Sequence, residues 1–230
     1  MKYKNIVKGK FRERPNRFIA YVDVDGEKNN PQIVHVKNTG RCKELLVPGA
    51  MVYLEKADNP NRKTKYDLVK VVKENRLINM DSQAPNKVVG EWLKDNHLFE
   101  DTTLVAAEKK YGDSRFDFYV EGDGKSAWME VKGVTLEKDG VALFPDAPSE
   151  RAIKHIEHLI KAKKEGYEAY IIFVIQMTDI KYFTPNIETH PKFAEKLIEA
   201  DQAGVHVLAY DCKVTEDGLW MNQPVQVKLK

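Results

Sequence analysis

The apolar rhythm of this chain changes near residue 80, and no single type of packed layer accommodates both parts. Before that point, short extended runs at Ile6–Phe11, Arg17–Val24, Ile33–Val36, Met51–Leu54 and Leu68–Val72 alternate with turn chemistry. Pro15 and Asn16, Asp25-Gly26, Asn29-Asn30-Pro31 and Pro48-Gly49 separate them, and helical spacing is scarce. Five short strands in a unit of this size predict a small β-barrel, and among small barrels the oligonucleotide-binding (OB) type fits best, because its face and loops hold nucleic acid. Aromatic residues stand among the cations at Tyr3, Phe11, Phe18, Tyr21, Tyr53 and Tyr66; most are expected to fill the barrel core.

Beyond residue 80 the spacing of Val88, Val89, Trp92 and Leu93 predicts a helix over Lys87–Asn96. Strands are expected at Thr103–Ala107, Arg115–Val120 and Ser126–Val131, then a helix over Ser149–Glu165 leading to the apolar strand Ala169–Ile175. A last helix at Pro191–Ala203 precedes a strand at Val205–Tyr210. The expected architecture is therefore α+β in two domains, a barrel over 1–80 and an α/β domain with covered sheet faces over 81–230. In the helix over Ser149–Glu165, Ser149 is the expected N-cap and Gly166 the left-handed terminator. Ile153, Ile156, Leu159 and Ile160 make its apolar stripe, whereas Arg151, His155 and His158 lie off it.

Composition narrows the function classes. With 42% hydrophobic residues in 230, the chain can bury a real core, so a disordered or fibrous chain is excluded. Two distant cysteines, Cys42 and Cys212, form neither a disulfide framework nor a zinc pair, which points to a reducing compartment. The first twenty residues carry cations without a signal peptide's apolar run, and no later segment is long and uncharged enough to span a bilayer. A cytoplasmic location with no membrane partner is expected; oligomeric state leaves no trace in the sequence.

The net charge of +2 divides unevenly, into +9 over residues 1–80 and −7 over the remainder. A basic module joined to an acidic one suits a polyanion-binding domain beside a cation-binding one, although chance partition of solvated surface charge gives the same sums. Serine-hydrolase, nucleotide-loop, dinucleotide and zinc-protease motifs are all missing from the sequence.

The most informative pattern is Ser114-Arg115-Phe116-Asp117-Phe118-Tyr119-Val120, a turn at Glu121-Gly122-Asp123-Gly124, and Ala127-Trp128-Met129-Glu130-Val131-Lys132. It reads as a hairpin. Glu130 and Lys132 point to one face and Met129 and Val131 to the other, and the turn can bring Asp117 to Glu130. Two converging carboxylates repel unless a proton or a divalent cation neutralises them, and Mg²⁺ or Mn²⁺ beside a lysine suits phosphodiester hydrolysis. The competing account is a cross-strand ion pair of about 0.2–1 kcal/mol with no chemistry. Arg151 and His155, one helical turn apart, are candidates for holding a phosphate, and their competing account is a solvated helix face. In the basic part, Arg12, Arg14, Arg17, Asn38 and Arg41 are the candidate nucleic-acid contacts; the Asn38-Thr39-Gly40-Arg41 loop is equally a structural turn.

The segments Asn38-Thr39-Gly40-Arg41, Leu45-Leu46-Val47-Pro48-Gly49, Ser114-Arg115-Phe116-Asp117-Phe118, Glu130-Val131-Lys132 and Phe144-Pro145-Asp146-Ala147 resemble the sugar fermentation stimulation protein A family, SfsA, in order and over nearly the whole chain. The resemblance implies a cytoplasmic bacterial or archaeal protein with an OB-like N-terminal barrel and a C-terminal domain like the PD-(D/E)XK nucleases. It implies DNA binding and a role in regulating sugar (maltose) metabolism, with nuclease activity inferred from the fold. Mapped onto this chain, Asp117 and Glu130 are the metal carboxylates and Lys132 the catalytic lysine; Phe116 stands where the motif has proline. Glu108 is the candidate upstream metal acid, against a salt bridge to Lys109, Lys110 or Arg115. The expected function is a DNA-binding, Mg²⁺- or Mn²⁺-dependent nuclease. The alternatives are a non-catalytic DNA-binding regulator and a metal-dependent enzyme acting on RNA.

Overall fold

Six strands form the first sheet of the computed structural model, which describes residues 1–229: β1 Ile6–Glu13, β2 Ile19–Val24, β3 Gln32–Val36, β4 Met51–Lys56, β5 Tyr66–Lys73 and β6 Arg76–Asn79. Their order is β3-β2-β1-β4-β5-β6, and a short parallel pairing of β3 with β5 at His35↔Asp67 and Val36↔Leu68 closes the first five into an OB-like barrel. Closure leaves β3 and β5 no open edge along that stretch, and the alternation of β2 turns Ala20, Val22 and Val24 into a dry interior with Phe11, Val52, Leu54 and Leu68. Tyr3, Phe11, Tyr53 and Tyr66 are buried as expected, and Phe18 is 52% exposed.

The remaining elements are α1 Ala84–Lys94, β7 Thr102–Tyr111, β8 Ser114–Gly122, β9 Lys125–Val134, β10 Leu136–Lys138, β11 Val141–Phe144, α2 Glu150–Lys164, β12 Glu168–Ile175, β13 Tyr182–Pro185, α3 Pro191–Gln202, β14 His206–Val214 and β15 Leu219–Pro224. The main sheet runs β15-β14-β12-β9-β8-β7, with β9, β12 and β14 mutually parallel and the outer strands antiparallel. One face packs on α1 through Val88, Val89, Met129 and Val131, and the other on α2 and α3 through Ile156, Leu159, Phe173 and Phe193. Coverage on both sides is why β12 reads as an almost unbroken apolar run. As expected, Ser149 Oγ accepts the Ala152 amide at 3.2 Å to cap α2, and Gly166 takes φ +93° after it. The expectations omitted β6, β10, β11, β13 and β15, of three to six residues each, too short for their own sequence to establish a period.

Polar contacts lock the barrel to the α/β part. Lys70 on β5 has 0% exposure; its ammonium donates to the Glu216 carbonyl at 2.9 Å and lies 4.1 Å from the Tyr3 ring centre. Gln176, after β12, donates to Asn79 Oδ1 at 2.8 Å and to the Asp81 carbonyl at 3.1 Å. Glu137 on β10 accepts Lys73 Nζ at 2.7 Å, Arg76 at 3.0 Å and the Gly140 amide at 2.6 Å. Burial opposes ionisation of Glu137, but Lys73, the Gly140 amide and Arg76 overcome it and hold its pKa at about 2. A carboxylate depressed in the folded state contributes stability above its unfolded pKa and loses it as the pH falls through the folded value. The Glu137→Gln variant should therefore be less stable than the parent by about 2 kcal/mol at neutral pH. Urea denaturation should show that gap closing between pH 4.5 and about 2. A gap independent of pH would assign the loss to packing alone.

Candidate active site

The ladder between β8 and β9 pairs Gly122 with Lys125 through Phe118 with Met129, and ends there. The next rung of that register sets Asp117 opposite Glu130, where two carboxylates on facing residues drive the strands apart. The side chain of Asp117 replaces the missing ladder contact: its Oδ2 accepts the Val131 amide at 2.7 Å. Asn86 on α1 donates to the other oxygen, Oδ1, at 2.7 Å. Burial, then the charge of Glu130, raises the pKa of Asp117 against these two donors, so the pair is electrostatically coupled.

Glu130 is 3% exposed and held from the opposite side of the sheet. Its Oε1 accepts Lys132 Nζ at 2.5 Å and also the Nδ1–H of His155 on α2. Burial pushes its pKa up, but His155 and Lys132 together bring it below the ordinary glutamate value. A carboxylate only accepts, so the His155 proton sits on Nδ1, which leaves Nε2 to accept the Arg151 Nε–H at 3.4 Å. The other glutamate oxygen, Oε2, is buried and bonds to nothing in the described structure. An ionised oxygen kept from water without a partner is costly, and it is the position a hard cation would satisfy.

The donor set fits Mg²⁺ or Mn²⁺. Mg²⁺ keeps several waters and needs only one or two carboxylates, which Asp117 and Glu130 supply. The described residues contain no group of three or more His, Cys, Asp or Glu side chains gathered for a metal. Glu108 does not join the pair: its side chain is 62% exposed on the edge strand β7, 3.6 Å from Arg115, which corrects its assignment as a ligand. His155 is corrected too. Six per cent exposed, with its ring edge toward Phe116, it meets Glu130 rather than solvent, so it acts on the carboxylate and not on a phosphate. Arg151, exposed at the start of α2, remains available to an anion beyond the proton it donates to His155. The residue that sequence reasoning missed is Asn86, whose only signal is a contact across 31 positions.

The barrel candidates separate into structural and available groups. The Arg14 guanidinium donates through Nη1 and Nη2 to the carbonyls of Arg17, Asn38, Gly40 and Arg41 at 2.6–3.0 Å, so these groups fold the loop and its Nε is buried. Asn38 is likewise consumed, accepting the Gly40 amide at 2.7 Å and donating to the Met80 carbonyl at 2.9 Å. Both are corrected from nucleic-acid contacts to loop scaffolding. Arg12 pairs with Asp23 at 2.7 Å on the surface. Arg17 lies over the exposed Phe18 ring at 5.5 Å, and exposed Arg41 has no ion-pair partner among the described residues. Arg14→Ala should accordingly cost about 2–3 kcal/mol of unfolding free energy, whereas Arg41→Ala should stay within about 0.5 kcal/mol. Equal losses in chemical denaturation would contradict this division.

Comparison with known proteins bears on the arrangement. The family model described as the SfsA N-terminal OB domain matches residues 13–80, and that described as the sugar fermentation stimulation protein RE domain matches residues 83–218. A sugar fermentation stimulation protein homolog of Clostridium beijerinckii is 56% identical, with 100% of each chain covered. A homolog of Desulfitobacterium hafniense is 57% identical over 100% of this chain and 99% of its own. The solved structure of Pyrococcus furiosus SfsA in complex with Ca²⁺ is 26% identical and superposes with a TM-score of 0.87 over 99% of this chain and 98% of that one. With both lobes matched in order and relatives above half identity along their full length, the chain belongs to the sugar fermentation stimulation protein (SfsA) family.

Proposed function

We propose that this protein binds DNA and hydrolyses its phosphodiester bonds with Mg²⁺ or Mn²⁺ held by Asp117 and Glu130. One observation carries the reading: a half-buried Asp117 and a buried Glu130 stand on the rung just beyond the end of the β8–β9 ladder, and Glu130 Oε2 is buried without a partner in the described structure. The Ca²⁺ of the archaeal relative supports a hard divalent cation for a fold of this kind. A bound cation would supply Lewis acidity toward a phosphoryl oxygen. The protein's own groups do the rest. Asn86 and the Val131 amide hold Asp117, and His155 holds Glu130 in one rotamer. Lys132 places an ammonium on the same face as Glu130, where it orients the attacking water and offsets the charge that builds on the phosphoryl oxygens. Arg151, Arg17 and Arg41 meet neighbouring phosphates. The relatives' name supports a link to sugar metabolism as well.

A second reading, a DNA-binding regulator with an inactive nuclease-like domain, draws support from the internal pairing of Glu130 Oε1 with the Lys132 ammonium and the His155 Nδ1–H. Labelled single-stranded DNA, duplex DNA and RNA incubated with Mg²⁺ or Mn²⁺ separate the readings. Metal-dependent cutting of DNA is expected, abolished in Glu130→Gln with binding retained. Binding that survives in chelator with no cutting at any metal concentration would favour the regulator, and cutting of RNA alone would reassign the substrate. His155→Gln should weaken Mn²⁺ binding by calorimetry roughly 10–100-fold. The logarithm of the binding constant should fall with log salt at about −0.9 per neutralised duplex phosphate, and a flat response would rule out phosphate contacts.

A further inference from the structure

A cavity of about 400 Å³ opens where the barrel loop Thr39–Arg41 meets the carboxyl ends of β9 and β12. The chain lines it from Gly133 to Leu136, directly after Lys132, and from Gln176, directly after β12. In open α/β sheets this is the end of parallel strands where ligands bind. The wall starts one residue, about 4 Å of chain, from the lysine assigned to catalysis. Its chemistry is mixed. Phe144 and Leu143 offer a half-buried apolar surface, and the Asp146 carboxylate and Arg41 guanidinium, both exposed, have no ion-pair partner among the described residues. The Asp146 carboxylate reaches toward Gly40, where an added Cβ would lie 2.8 Å from its oxygen, so the barrel loop and this carboxylate approach closely at the rim of the cavity.

The geometry points to a binding site for one unpaired nucleotide of a nucleic-acid strand, in the cleft between the lobes. This rests on the proposed nuclease reading and names its substrate class. A nucleotide offers what the cavity lacks: a flat apolar ring for Phe144, amine hydrogens for Asp146 and a phosphate for Arg41. The volume falls within the roughly 300–1,000 Å³ of small-ligand sites and suits a single nucleoside, not a stacked, paired duplex. The barrel thus sets strand form at the site as well as adding affinity.

The test uses the full chain in Ca²⁺ with an oligonucleotide carrying one 2-aminopurine, presented single-stranded or in duplex. Single-strand binding should change the probe's fluorescence. Thr135→Phe, filling the cavity from the segment between β9 and β10, should weaken that binding at least tenfold and leave duplex affinity within twofold. Asp146→Asn should weaken strands of amine-bearing bases severalfold and poly-dT less, and it carries the test if Thr135→Phe melts early. Equal losses for both strand forms, or no loss, would overturn the inference while metal-dependent cutting stands. Competition by free deoxyadenosine monophosphate as strong as by the strand would also overturn it. Failure to bind any nucleic acid would instead remove the proposed function first.

Discussion

Setting two like charges on facing positions, Glu130 buried and Asp117 half-buried, is the constraint around which the α/β domain is organised. Asp117 and Glu130 occupy the rung after the last paired one, so the sheet gives up main-chain pairing where they meet. Each acid is then fastened from a different layer, Asp117 by Asn86 on α1 and Glu130 by His155 on α2. An unpaired charge in such a setting costs several kcal/mol. The Lys132 ammonium and the His155 Nδ1–H offset part of this cost, and they do so through Oε1 alone. Oε2 is left buried without a partner among the described residues, so the ion-pair network around Glu130 is not complete.

The same logic explains why the two lobes do not hang on a free linker. Lys70, fully buried in a barrel strand, reaches the turn between β14 and β15; Gln176 reaches back to Asn79 and Asp81. These contacts desolvate polar groups that are paired only when the lobes are docked. The docking fixes the Asn38–Arg41 loop, already folded by Arg14, against the end of β9. Charge asymmetry therefore has a spatial counterpart. The basic barrel meets the acidic domain along a seam whose walls carry both signs, which suits a ligand with a phosphate at one end and hydrogen-bond donors at the other.

Much of this was legible from the residues. Turn chemistry before residue 80 and the apolar run at Ala169–Ile175 reported the barrel and the covered sheet, because turns and periodicity are local properties. The hairpin spacing likewise set Asp117 against Glu130. Local signals failed where a tertiary contact decides. Arg14 and Arg41 are indistinguishable as letters, yet one donates to four carbonyls and the other is exposed with no ion-pair partner among the described residues. His155 lies off the apolar stripe of α2, as a surface residue would, and is buried because Glu130 supplies its partner. Glu108 neighbours the site in sequence logic but lies on an exposed edge. Short strands such as β10 and β13 form only because they pair with β11 in a small separate sheet.

Anomalous diffraction from crystals of this protein soaked in Mn²⁺ tests the central claim most directly. The account predicts one strong peak coordinated by both Asp117 and Glu130, with Oε2 of Glu130 turned to the ion, and its loss in Glu130→Gln crystals. Saturating Mn²⁺ with no peak at this pair, or a peak held by other residues, would contradict it.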